Sequence, residues 1–147
     1  MQIKDRIKEL RRVKANDLLP NPKNWRTHPK AQQDGLRSIL AKVGYADAVI
    51  ARETPDGLML VDGHLRAETT PDSEVPVLVT DLTEAEADEV LATLDPLASM
   101  AEPDMEALKA LIGGIDKDDE NLNILLEDIR DNYNVGIYEL MEQATDA

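Results

Sequence analysis

The 147 residues carry 16 basic and 30 acidic groups, a net charge of -14, with 42% hydrophobic and 3% aromatic content; a chain of this size builds one modest core with a small appendage, not two full domains. There is no cysteine, which excludes disulfides, thiolate zinc sites and a cysteine nucleophile. No apolar run approaches bilayer-spanning length and the opening MQIKDRIKEL lacks the apolar stretch of a secretory signal, so a soluble, cytoplasmic chain without membrane contact is expected.

Charge is spread unevenly. Residues 1–66 hold 13 basic groups against 8 acidic ones, net +5, whereas residues 67–147 hold 3 against 22, net -19. The first part tolerates a phosphate-bearing partner; the second repels nucleic acid unless it turns away or pairs with a basic surface.

VKANDLLPNPKNWRTHP begins as a short, partly apolar segment and becomes an Asn/Pro loop, because Pro20, Pro22 and Pro29 forbid regular helix while Asn21 and Asn24 bond nearby backbone. Leu36, Ile39, Leu40 and Val43 then recur at helical spacing before Gly44, which predicts a helix over residues 30–43. AVIARE and LMLVD flank TPDG and predict a hairpin. A short helix is expected after residue 63, stopped before Pro71, and VPVLVT is a strand rich in β-branched residues. These three strands form a sheet that needs helical cover. Thr83 with Glu86 makes a capping-box pattern, Val90, Leu91 and Leu94 supply an apolar stripe, and Asp95-Pro96 is expected to end that helix. Further helices are predicted around MEALKALI and LNILLEDIRDNY, separated by Gly113-Gly114. Their apolar positions suit burial within the chain or a homodimer seam, and both remain open.

The stretch VDGHLRAE carries the chemistry. Gly63 permits a tight turn or the close approach of a ligand, having no Cβ to obstruct either. If a helix starts at residue 64, its free N–H groups face the turn and suit a phosphate or carboxylate. His64 can hydrogen-bond and take a proton near neutral pH, and Arg66 can offer two parallel donors to one phosphate. Asp62 then serves as a base, as a ligand to Mg²⁺ shared with the phosphates, or as a brace for Arg66, while Glu68, about one helical turn beyond His64, can orient the imidazole. Asp62, His64 and Glu68 are therefore the candidate catalytic groups, with Gly63, His64 and Arg66 as candidate phosphate contacts. The competing reading is a hairpin end with solvated His64 and Arg66. Arg26 can close the same site or make a surface salt bridge; Trp25 anchors the loop or stacks on a base. Tyr45 is read as packing beneath the first hairpin strand. His28, His64 and Asp62 lack diagnostic ligand spacing, so no protein-held metal is expected.

Taken together, LLPNPKNWRTHP, AQQDGLRSILAKVG, VDGHLRAE and VPVLVTDLTEAEADE, in this order, resemble the ParB-like family. That family is the amino-terminal domain of plasmid and chromosome partition proteins and of many phage and mobile-element proteins, related in fold to sulfiredoxin and to a free-serine kinase. The resemblance spans about residues 13–95 and implies an α+β fold, a small mixed sheet with packed helices, over residues 1–95, followed by an acidic helical extension over residues 96–147. It also implies a nucleotide, with Mg²⁺, held by Gly63 and Arg66 and by the loop residues Asn21, Asn24 and Arg26. Partition proteins hydrolyse CTP at this place and the serine kinase moves a phosphoryl group from ADP, so phosphotransferase, hydrolase and nuclease activities all attach to the fold. Two departures stand out: Leu65 replaces the first of two adjacent arginines, and TTPDSE shortens the helix after the turn; they make a protein-interaction module with a vestigial pocket the alternative to a nucleotide site. No helix-turn-helix pattern follows residue 95, which weakens the expectation of DNA contact.

Overall fold

The computed structural model describes residues 1–116 and 118–145, and of residues 133–145 the backbone alone. Four strands form one sheet: β1 (Ile7–Lys14), β2 (Val49–Thr54), β3 (Gly57–Asp62) and β4 (Glu74–Thr80), in the spatial order β1-β4-β2-β3. β1 runs antiparallel to β4, β4 parallel to β2, and β2 antiparallel to β3. The sequence pattern predicts only three of these strands. β1 escapes it because IKELRRVK is an edge strand with every residue exposed except the half-buried Val13, so no alternation of polar and apolar positions marks it.

The core lies on one face of the sheet. Val75, Val77 and Val79 alternate along β4 and are almost wholly buried; Val77 stands beside Val49, and Val79 beside Ala51, in the parallel register with β2. Each valine removed from water contributes about 1.5–3 kcal/mol. A single 3₁₀ turn (Ala15–Asp17) and the six-residue helix α2 (His64–Thr69) cover this face with Ala15, Leu18 and Ala67. Tyr45 packs against the same cluster, its hydroxyl bonded to the Arg66 carbonyl at 3.3 Å and to Thr70 Oγ1.

Helix α1 (Lys30–Lys42) matches the spacing that predicts it, and Gly44, at φ 92°, follows its end. Helix α3 (Glu84–Ser99) starts with the expected capping box: the Glu86 N–H donates to Thr83 Oγ1 at 3.2 Å and the Thr83 N–H to Glu86 Oε1 at 3.0 Å. Arg6 adds ion pairs to Glu86 and, at 2.8 Å, to Asp81, and it holds the Glu86 carboxyl down at about 2. The expected stop at Asp95-Pro96 does not occur. The helix runs through Pro96 to Ser99, because a proline this close to the last turn removes one donor while its own carbonyl still accepts from the Met100 N–H at 3.1 Å.

Asp104 caps α4 (Met105–Gly113), which ends at the Gly113-Gly114 break, and α5 (Glu120–Thr145) follows. α5 packs on α1 and α4, with Ile112 and Leu122 buried. On α1, a Cβ added at Gly35 would stand 2.7 Å from Leu125 Cδ2, so the two helices meet at a position without a side chain. Ile112 and Leu122 are thus buried within the chain, while Leu111 and Ile124 of the same helices stay exposed. Among the described residues no helix is long and apolar enough to cross a membrane.

Candidate functional site

Two loops converge at the end of β3. The first is the turn into α2, where Gly63 sits at φ 93° and a Cβ would come within 2.6 Å of Val49 Cγ1 and 3.0 Å of Arg66 Nη2. Left-handed backbone and absence of room both call for glycine. The second is the Asn/Pro loop, fastened along the outer edge of β3: the Leu19 N–H donates to the Leu58 carbonyl at 2.8 Å and the Leu60 N–H to the Leu19 carbonyl at 2.9 Å. Two residues on, the Asn21 N–H donates to His64 Nε2 at 3.3 Å and joins the loop to the turn. The Lys23 N–H then donates to Asn21 Oδ1 at 3.0 Å, so Asn21 is a buried brace.

These bonds position a cleft of about 340 Å³. Polar groups reach it from Asn24, Arg26, Asp62, His64, Arg66 and Asp95. Apolar groups come from Leu36 and Ile39 of α1, Val61 of β3, Leu65 of α2, Leu91 of α3 and Leu125 of α5. Trp25 lies at the rim, 54% exposed, with its Nε1–H donating to the Leu91 carbonyl at 3.1 Å; it anchors the loop on α3 and still presents its ring to the cleft. The Arg26 guanidinium stands over that ring, 4.9 Å from the centroid.

The charges are already paired. Arg66 Nη2 lies 3.4 Å from Asp62 Oδ2 and donates to the Ala48 carbonyl at 3.2 Å, while Nη1 is 3.6 Å from Asp47. Its Nε is buried without a hydrogen-bond partner. Arg26 Nε is 2.9 Å from Asp95 Oδ2, within ion-pair range but outside hydrogen-bond alignment. Two arginines thus face three aspartates, and an entering anion must draw the cations from their carboxylate partners or arrive with its own cation.

Burial lowers the His64 pKa below the ordinary imidazole value, with Glu68 and Asp62 opposing the shift. The ring accepts the Asn21 N–H at Nε2, so this atom holds the loop to the turn. Glu68 is exposed and lines an adjoining hollow with Arg37 and Thr69, which shares Asn24, Arg26, His28 and Leu65 with the main cleft. Of the residues singled out in the sequence, Asn24, Trp25, Arg26, His28, Asp62, Gly63, His64 and Arg66 line the cleft; Asn21 and Glu68 do not. The sequence reading missed Asp95 and Leu125 as lining groups, since both lie far along the chain from the turn and Asp95 was read only as part of a helix stop. Among the described residues no three histidines or carboxylates cluster as a metal site. Mg²⁺ would have to ride on ligand phosphates with Asp62 or Asp95 as its protein contact.

No family model matches the chain, and no curated protein matches it. Among solved structures it is similar to the C-terminally truncated chromosome-partitioning protein ParB from Caulobacter crescentus complexed with CTP-γ-S, at 18% identity and TM-score 0.57, over 71% of this chain and 63% of that one. It is also similar to C-terminally truncated ParB from the same organism complexed to the centromeric parS site, at 18% identity and TM-score 0.47, over 84% of this chain and 68% of that one. The chain therefore spans less than two thirds of the first of these structures. The fold is ParB-like: a small mixed sheet with packed helices, followed by a helical extension.

Proposed function

We propose that this chain is a nucleotide-binding module of the ParB-like fold, taking the ligand phosphates beside Gly63, Arg66 and Arg26 and the base against the apolar part of the cleft and Trp25. The observation that carries it is the composition of one cleft: two arginines and the amide of Asn24 open onto the same space as an indole and six aliphatic side chains. A nucleotide has both halves of that chemistry. CTP is the first candidate, because the similar ParB structure holds CTP-γ-S. The paired state of Arg26 and Arg66 favours entry as a Mg²⁺ complex, whose reduced charge asks less of the arginines.

The resemblance to partition, phage and mobile-element proteins supports a role in a DNA-related process, with the module as sensor or regulator. Leu65 at the place of a family arginine leaves fewer cations for a triphosphate than the partition pattern has. Isothermal titration of the full chain with CTP, ATP and ADP, each with Mg²⁺, tests the reading. Saturable heat with at least one of them, lost in Arg66→Ala while circular dichroism is retained, is the expected result. Absence of heat and of any melting shift with all three would end the proposal.

Enzyme activity is a second reading, favoured by the single observation that Asp62 faces the cleft next to Arg66. Phosphate release that disappears in Asp62→Ala, with binding retained, would move the assignment from binder to phosphotransferase or hydrolase. A homodimer is a further proposal, resting on the exposed Leu111 of α4 and Ile124 of α5; light scattering that gives the monomer mass at high concentration would remove it.

A further inference from the structure

The helical extension meets the cleft at one side chain. Leu125 of α5 lines the same space as Asp62, Gly63 and Arg66, although 59 residues separate it from Arg66 in the chain. It gets there because α1 offers Gly35 where α5 crosses. A Cβ at Gly35 would lie 2.7 Å from Leu125 Cδ2, closer than real Cβ contacts allow, and 3.2 Å from Leu125 Cβ and Cγ, tight enough that the leucine would have to shift by a few tenths of an ångström. Gly35 is itself buried, in a helix whose φ is ordinary, and glycine costs a helix interior about 1 kcal/mol relative to alanine. Conformational need thus does not account for this glycine; the close seat for α5 does. Leu36, the next residue, and Ile39, one turn on, line the cleft beside Leu125, with Leu91 of α3.

We infer that α5 is a working wall of the binding site, and that Leu125, seated on Gly35, is the residue of the extension that sets which base or other flat apolar group the cleft accepts. The inference rests on the nucleotide reading of the cleft and adds to it a division of labour. The turn and the Asn/Pro loop hold the charged part of the ligand; α1, α3 and α5 hold the uncharged part. It follows that the extension is required for discrimination between nucleotides and dispensable for retention of phosphate.

Titration of the full chain with Mg²⁺-CTP, Mg²⁺-ATP and inorganic tripolyphosphate separates the two parts. In Leu125→Ala the preferred nucleotide should bind roughly tenfold more weakly, the range for losing a small apolar contact in a pocket, with tripolyphosphate affinity unchanged. Gly35→Leu, which drives a side chain into the seat, should do the same and should also raise hydrogen exchange across residues 120–132. Should Gly35→Leu prove unstable, Leu125→Ala decides the matter, since it removes atoms without inserting any. A nucleotide preference that stays at its original value in Leu125→Ala overturns this inference and leaves the proposed function standing. If neither nucleotide nor tripolyphosphate binds the unaltered chain, the nucleotide reading fails and the inference fails with it. An equal loss of tripolyphosphate affinity in Leu125→Ala also overturns it, by showing that α5 supports the whole cleft without selecting the base.

Discussion

Replacing Gly63 by alanine tests whether the turn is built by backbone geometry and close packing together. At φ 93° a side chain costs about 1–2 kcal/mol in left-handed strain. The new Cβ would lie 2.6 Å from Val49 Cγ1 and 2.9 Å from Val49 Cβ, and Val49 is wholly buried between β4 and β3, so it cannot yield easily. Overpacking of this kind costs about 1–3 kcal/mol, and alanine recovers about 0.4–1 kcal/mol by stiffening the unfolded chain. The net loss is about 1–5 kcal/mol, centred near 3 kcal/mol, and the central value corresponds to roughly 6–12 °C in Tm at about 2–4 °C per kcal/mol. Gly44 supplies the control, because its φ is 92° and nothing lies within 4 Å of its Cβ position. Gly44→Ala should lose only about 1 kcal/mol, strain less the unfolded-state gain. Chemical denaturation of both variants isolates the packing contribution as their difference. Equal losses would refute the argument that Val49 and the turn are interlocked.

Three other outcomes are expected. His64 has a folded pKa below its unfolded value near 6.5, so the unfolded chain binds the proton first; the stability this residue contributes is present above about 6.5 and declines as pH falls towards the folded pKa. Denaturation curves over that window should flatten in His64→Gln, and an unchanged slope would contradict burial of the neutral ring. Asp95→Asn should tighten nucleotide or tripolyphosphate binding several-fold by releasing Arg26, whereas weaker binding would mean that the ion pair positions Arg26 for the ligand. Glu86 titrates at about 2 in the presence of Arg6, and by carboxyl-carbon NMR its pKa should climb towards 4.5 in Arg6→Ala; a value that stays near 2 would credit the cap at Thr83 alone.

The elements that sequence predicts well are those whose stabilising contacts are local. α1 repeats at helical spacing and closes at Gly44, the β2–β3 hairpin carries its own Pro-Asp-Gly turn, and the Thr83/Glu86 box marks the start of α3. β1 depends instead on a partner more than 60 residues away, since Val13 pairs with Val75 and Leu10 with Leu78, and its own composition reads as a charged lead-in. The end of α3 fails for a related reason. Proline acts on the turn before it and leaves its own carbonyl as an acceptor, so whether α3 continues past Pro96 is decided by the N–H groups that follow, as the Met100 N–H does here, which a propensity cannot register.

The site divides in the same way. Gly63 and Arg66 were legible because the turn that holds them is contiguous, and the cleft takes both. Asn21 was recognised as a polar loop residue, but its position along β3, fixed by Leu19, turns it into the brace of His64. His64 itself could be placed near the ligand from the motif; its neutrality could not, because that follows from burial by residues of a different loop. The cleft is thus an assembly in which a local motif supplies the cations and distant segments decide their state. Asp95 answers Arg26 from α3, and Leu125 closes the apolar flank from α5. Under the proposed nucleotide reading, selectivity would reside with the distant segments, since every phosphate ligand offers the same anion to Arg66 and only the remainder of the ligand distinguishes one from another.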